Sequence, residues 1–173
     1  MMIPGTTNPM RLAAIDIGSN AARLLISDVV CTPQKSYEFI KISLVRIPLR
    51  LGFDVFEGGS ISPVKEEKIL KTIKAYKYLI EVFDVKHFRA CATSAMRDAS
   101  NGKDIIKKIE QETGISIKII DGQEEATLIY ENHIADYMNK DESYLYVDVG
   151  GGSTELAMFS KKNLVDHNSF KIG

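Results

Sequence analysis

The spacing of apolar residues changes along this chain, and each change predicts an element. Leu12 to Ile17 (LAAIDI) is a short apolar run that predicts a strand, and Gly18-Ser19-Asn20 breaks it as a turn. Ala21 to Val30 (AARLLISDVV) predicts a second strand. Tyr37 to Leu49, with alternating character around Phe39, Ile42 and Val45, predicts a third. Three such strands in a row suit an antiparallel meander. Leu51 to Ile61, with Gly52, Gly58 and Gly59, reads as a loop.

Helical spacing then takes over. Ser62 suits an N-cap with Pro63 at the first helical position. Ile69, Ile73, Tyr76, Ile80 and Phe83 recur on one face, and Lys and Glu fill the other. Phe88 to Thr93 predicts a short buried strand. Asn101 to Glu112 predicts a second helix, capped by Gly114, and Ile115 to Ile120 another strand. Asp121 and Glu124 resemble a capping box opening a third helix to about Met138. Tyr144 to Asp148 is again an apolar strand, and Gly150-Gly151-Gly152 turns it. Thr154 to Phe159 and Leu164 to Ile172 follow as strands. A meander followed by alternating helices and strands predicts an α/β fold, a mixed sheet flanked by helices. A purely parallel dinucleotide-binding sheet would not open on a meander, and no G-x-G-x-x-G follows the first strand.

Composition narrows the partners. The 173 residues suffice for one domain and the start of another. The 45% apolar and 26% charged content is that of a soluble globular protein. A net charge of -1 gives no global field to attract nucleic acid or an anionic membrane. A polyanionic ligand would therefore be held by a local cluster of donors. Cys31 and Cys91 form neither a metal-ligand spacing nor a disulfide framework. They are read as buried, inert thiols in a reduced, cytoplasmic setting. No apolar run reaches the ~18 residues that span a membrane. Residues 1–10 have no signal-peptide core and read as a loose tail.

The chain repeats itself. LAAIDIGSNAARLLI from Leu12 and YLYVDVGGGSTELAM from Tyr144 share one plan: an apolar strand ending in Asp-x-Gly, a small polar turn, and a second apolar strand. The copies lie about 130 residues apart, one small-domain length, which suggests two similar lobes. Such turns suit phosphate. Glycine lets the backbone approach a ligand closely, and successive free N–H groups form an anion nest. Ser19, Ser153 and Thr154 add hydroxyls. Asp16 and Asp148 would repel phosphate but could hold Mg²⁺ or orient water. Either turn alone is equally a hairpin whose Asp accepts backbone hydrogen bonds. The matched pair favours the phosphate reading.

Four segments carry a family resemblance: IDIGSNAARLLI from Ile15, ATSAMRDASNG from Ala92, GQEEA from Gly122 and VDVGGGSTEL from Val147. In order and spacing they resemble the exopolyphosphatase / guanosine pentaphosphate phosphohydrolase family, from about Arg11 to Gly173. The resemblance implies two ribonuclease-H-like lobes, as in actin and sugar kinases, with the active site in the cleft between them. It implies a first lobe over residues 11–122, an interlobe helix over 123–139, and the opening strands of an incomplete second lobe over 140–173. It also implies release of phosphate from polyphosphate or guanosine pentaphosphate, with Glu125 activating the attacking water. Gly18, Ser19, Asn20, Arg23, Thr93, Arg97, Gly150, Gly151, Gly152, Ser153 and Thr154 would face phosphate. Asp16, Asp148 and Glu155 would bind Mg²⁺, and Glu124 would serve as the cap.

Other readings stay open at this level. Arg97 also suits an ion pair with Asp98 or Asp104, and Glu155 the outward side of a strand. His87, His133 and His167 show no ligand spacing and read as surface or packing residues. Arg46 and Arg50, in LVRIPLRLG, either contact a long polyphosphate or are solvated. An ATP-using kinase or ATPase of the same superfamily, or a non-catalytic binder of guanosine polyphosphates, would use the same turns. Unpaired sheet edges in the second lobe predict self-association, such as a homodimer, through residues 144–173.

Overall fold

The computed structural model describes residues 9–32, 36–129, 139, 141–150, 154–161, 163–170 and 172. Residues 1–8 of the tail predicted over 1–10 and the stretch of the third helix over 130–138 lie outside them, and Met10 of that tail opens the first strand instead.

The meander forms as predicted. β1 (Met10–Ile17), β2 (Ala21–Cys31) and β3 (Tyr37–Pro48) pair antiparallel. β4 (His87–Ala92) joins the other side of β1 in parallel, and β5 (Lys118–Ile119) joins β4 in parallel. The strand order β3-β2-β1-β4-β5 makes one mixed sheet, as the order of elements predicts. Strand side chains alternate between faces. Ala13, Ile15 and Ile17 of β1, Ala22, Leu24 and Ile26 of β2, and Ala90 and Ala92 of β4 all enter one buried cluster. Helix residues such as Ile69, Ile73 and Ile105, with loop residues such as Leu49, Ile61 and Ile115, supply the rest of that cluster, so the helices cover one face of the sheet. On the opposite face Arg23, Leu25, Leu44 and Arg46 are exposed.

α2 (Pro63–Val82) has Pro63 at its start and buries Ile69, Ile73, Tyr76 and Ile80, as the spacing predicts. The Tyr76 hydroxyl donates to the carbonyls of Ala22 at 3.0 Å and Val45 at 3.3 Å, tying the helix to β2 and β3. Burial pushes its phenol up to about 12. α4 (Gly102–Thr113) ends at Gly114 in the left-handed conformation, again as predicted.

The structure corrects four expectations and adds one element. Leu51–Gly58 is a helix, α1, where a loop was expected. Leu51 and Val55, four residues apart, bury together, and the glycines sit in its first turn and at its C-terminal end, where Gly59 caps it. Ser94–Asp98 forms a further short helix, α3, in a stretch that shows no periodicity of its own. β4 is buried only at Ala90 and Ala92, and Phe88 is exposed. β5 is two residues long, although Ile115, Ile117 and Ile120 around it are buried. Cys31 and Cys91 are half-buried thiols rather than buried ones.

α5 (Gly122–Ile129) starts at Asp121, whose carboxylate accepts the Glu124 N–H at 2.8 Å. That half of the capping box forms. The Glu124 carboxylate does not complete it, because Arg89 and Lys118 hold it at 2.9 and 2.7 Å. A second antiparallel sheet follows: β6 (Ser143–Val149), β7 (Thr154–Ser160) and β8 (Asn163–Phe170). Its core is small, Ala157 and Phe159 with Tyr144, Tyr146 and Leu164 packed against them. α5 touches β7 and β8, bringing the two sheets' ends together.

Candidate active site

The first glycine turn joins β1 to β2 through Gly18, Ser19 and Asn20. The Gly18 N–H closes it on the Ala21 carbonyl at 3.0 Å. Its other carbonyls are drawn towards α1. Ser19 O accepts from Gly52 N–H at 2.9 Å, and Asn20 O accepts from Leu49 and Arg50 N–H at 3.0 and 2.8 Å. Among the described residues no partner is found for the N–H groups of Ser19 and Asn20. A turn with its carbonyls engaged behind it and its N–H groups free in front has the form of an anion nest. A buried contact of 2.8 Å between the Ser19 and Ser94 hydroxyls fixes this turn to the end of β4.

A cavity of about 270 Å³ opens on this turn. From the first sheet it is lined by Asp16, Gly18, Ser19, Asn20, Arg23, Thr93 and Ser94. α5 contributes Glu125, and the second hairpin contributes Asp148, Gly150 and Glu155. Most of the residues singled out in the sequence therefore meet in one place. Two do not. Arg97 donates to the Ile120 carbonyl at 3.3 Å and pairs with Asp98 at 3.4 Å, the local ion pair left open above. The Thr154 hydroxyl donates to the Ile172 carbonyl at 2.6 Å. Gly151, Gly152 and Ser153 lie outside the described residues, as does His133.

Electrostatics set Glu125 apart. Burial, with the nearby charges of Glu155, Asp16 and Asp148, pushes its carboxyl up to about 7, against an opposing pull from Arg97. Four carboxylates around one cavity would destabilise one another without a cation. Asp16 has a partner already, because Arg23 holds it at 2.8 Å.

In the second hairpin no Arg or Lys among the described residues pairs with a carboxylate in this way. Asp148 stands opposite Glu155 on the β6–β7 ladder. Like charges directly opposite are unfavourable. Glu155 is 5% exposed, so the alternative of an outward, solvated strand residue does not hold. Its Oε1 accepts from the Ser169 hydroxyl at 2.7 Å. Its Oε2 lies 3.1 Å from His167 Nε2, but no hydrogen bond aligns between these buried atoms. A β-carbon on Gly122 would come within 3.1 Å of His167 and 3.3 Å of Glu155, so α5 starts directly over this pair.

A buried carboxylate oxygen without a hydrogen bond, beside a second carboxylate, fits a hard cation. Among the described residues no three acidic, His or Cys side chains converge to enclose a metal on protein ligands alone. Mg²⁺ suits such a site, since it keeps several waters and uses one or two carboxylates. Sequence reasoning missed Ser94, Gly122, His167 and Ser169. Ser94 follows Thr93 directly and could have been found with it. Gly122 opens the GQEEA motif but was given no role, and His167 and Ser169 carry no local signal.

No helix among the described residues is long and apolar enough to cross a membrane. A bifunctional 3-dehydroquinate synthase/phosphatase of Fusobacterium nucleatum is 32% identical over 171 residues, 93% of this chain and 25% of that protein. Exopolyphosphatase 1 of Mycobacterium tuberculosis is 29% identical over 148 residues, 86% of this chain and 42% of that one. Among solved structures, an exopolyphosphatase from Cytophaga hutchinsonii superposes with a TM-score of 0.83 at 30% identity, over 95% of this chain and 51% of the other. The Ppx/GppA family member of Aquifex aeolicus gives a TM-score of 0.77 at 30% identity, over 95% and 52%. The chain thus spans about half the length of these solved relatives. The model of the Ppx/GppA phosphatase family matches residues 34–173, and the chain belongs to that family.

Proposed function

We propose that this chain carries the catalytic half-site of a hydrolase that removes the terminal phosphate from polyphosphate, guanosine pentaphosphate or both. One observation carries the reading: a free-donor turn, Arg23 and a Glu125 whose carboxyl is pushed up to about 7 share one cavity. A relative named exopolyphosphatase 1 supports the substrate class. In this reading residues 11–122 form one lobe, α5 joins the lobes, and residues 140–173 open the second. The unpaired Cys31 and Cys91 suit the cytoplasm.

The N–H groups of Ser19 and Asn20 and the Arg23 guanidinium hold oxygens of the terminal phosphate, Arg23 turning from Asp16 to do so. Glu125 orients a water and takes its proton as the water oxygen attacks phosphorus. The bond to the bridging oxygen breaks, and its electron pair leaves with the shortened chain. A base that titrates near 7 suits this step, being ionised in part and still a useful proton acceptor. When bound, Mg²⁺ would neutralise phosphate oxygens from a position held by Asp148 and Glu155, through water, with Asp16 opposite.

Phosphate release from polyphosphate and guanosine pentaphosphate, with and without Mg²⁺, tests this. Glu125→Gln should lower Mg²⁺-dependent release on the order of a hundredfold or more. Release that is unchanged in Glu125→Gln would remove the role of Glu125. Hydrolysis of ATP with none of polyphosphate would turn the reading towards a nucleotide-using enzyme.

A further inference from the structure

A row of side chains crosses the open face of the first sheet, from the cavity to the sheet's edge. In register, Asp16 stands opposite Arg23, and Arg23 stands opposite Arg46. The first two pair at 2.8 Å, which leaves Arg46 facing a like charge. Arg46 is exposed, and among the described residues no hydrogen bond or ion pair holds its guanidinium. Like charges directly opposite on antiparallel strands cost stability. Packing does not require Arg there, because β3 is anchored by Val45 and Ile47 on its other face. Arg50 flanks the same turn. Its N–H donates to Asn20 O at 2.8 Å, and its side chain is exposed and likewise unpartnered among the described residues.

We propose that Arg46, flanked by Arg50, forms a second anion subsite that holds later phosphates of a polyphosphate chain as it leaves the cavity over β3. This rests on reading the cavity as the terminal-phosphate site. Arg46 does not line the cavity, which reaches β2 at Arg23, one strand spacing of about 4.8 Å short of it, so the terminal phosphate itself sits on Arg23. A longer chain reaches Arg46. The net charge of -1 supplies no general attraction, so chain-length preference comes from this local row.

The test measures binding and phosphate release for pyrophosphate, guanosine pentaphosphate and long-chain polyphosphate at several salt concentrations. Arg46→Ala should weaken long-chain binding about tenfold and flatten its salt dependence. It should change pyrophosphate less than about twofold and guanosine pentaphosphate by an amount between the two, and Arg46→Lys should keep the salt dependence with part of the long-chain affinity. The unliganded thermal midpoint of Arg46→Ala should not fall below that of the unsubstituted protein, because a like-charge contact is removed. Equal weakening for all three ligands, or no weakening, overturns the subsite while leaving the hydrolase reading intact. A protein that binds long chains in this length-dependent way but releases no phosphate retains the subsite and loses the hydrolase. Failure to bind any of the three overturns both.

Discussion

The hairpins β1–β2 and β6–β7 share one plan and meet at one cavity, yet they bring opposite charge to it. Across the first sheet the row at the turn reads Asp16, Arg23, Arg46; across the second it reads Asp148, Glu155, Ser169. The first row is net positive, which in the proposed reading suits an anion. The second is negative, with one carboxylate buried between the Ser169 hydroxyl and His167, which in that reading suits a cation. The backbone plan sets where a turn faces the cavity. The cross-strand neighbour of the aspartate sets which ion suits it. Burial differs as well. Ile15 and Ile17 are 2% and 1% exposed in the first sheet, against 50% and 68% for Val147 and Val149 in the second.

The contrast in burial gives the largest expected effect. Ile17→Ala should lower unfolding stability by about 2–5 kcal/mol, whereas Val149→Ala should stay within about 0.5 kcal/mol, read by urea titration. Similar losses at both would mean that the second hairpin is packed like the first. The contrast in charge comes next. Glu155→Ala should raise the Mg²⁺ concentration for half-maximal phosphate release on the order of a hundredfold. Arg23→Ala should instead raise KM for polyphosphate and leave the Mg²⁺ requirement in place. If the two substitutions acted alike, the division between anion and cation hairpins would be lost.

Glu125, between the hairpins, gives a pH-dependent effect. Its carboxyl is raised from 4.5 to about 7, so the fold favours the protonated form. At pH below about 4.5 it is protonated whether folded or not, and no penalty applies. As pH rises towards 7 the unfolded chain ionises freely and the fold does not, so stability falls. Above about 7 the penalty is complete. Without Mg²⁺, Glu125→Gln should therefore be the more stable protein at pH 8, by on the order of 2 kcal/mol, and equal at pH 4. A constant difference across that range would show that neither burial nor the hairpins' charge raises the Glu125 carboxyl. The smallest expected effect is at Ser169. Ser169→Ala should shift the Mg²⁺ requirement about tenfold with thermal stability little changed, and Ser169→Thr should restore it.

Elements with a local cause were legible in the sequence. The period of α2 from Ile69 to Ile80, Pro63 at its start, the left-handed Gly114 and the Asp121 cap each act within one or two turns of chain. α1 and α3 were not legible. α1 packs against α3, and its first turn is bonded to the Ser19 carbonyl, neither of which a nearby residue announces. The same holds in the site. Asp16, Arg23, Glu125, Asp148 and Glu155 stood out through the repeat and the family motifs. His167 and Ser169 reach Glu155 only across a strand pair, and Gly122 only where α5 meets the second sheet.

Alternation, glycine turns and caps are short-range effects, so the sequence by itself determined both hairpins, the helix α2 and the identity of the acidic and basic residues near the turns. Register and lobe contact are long-range, and tertiary structure alone decided what faces each charge. It placed Arg23 against Asp16 and Glu155 against Asp148. It also buried Glu125 among carboxylates. A charge's chemistry depends on its neighbours within a few ångströms, and here those neighbours come from distant parts of the chain.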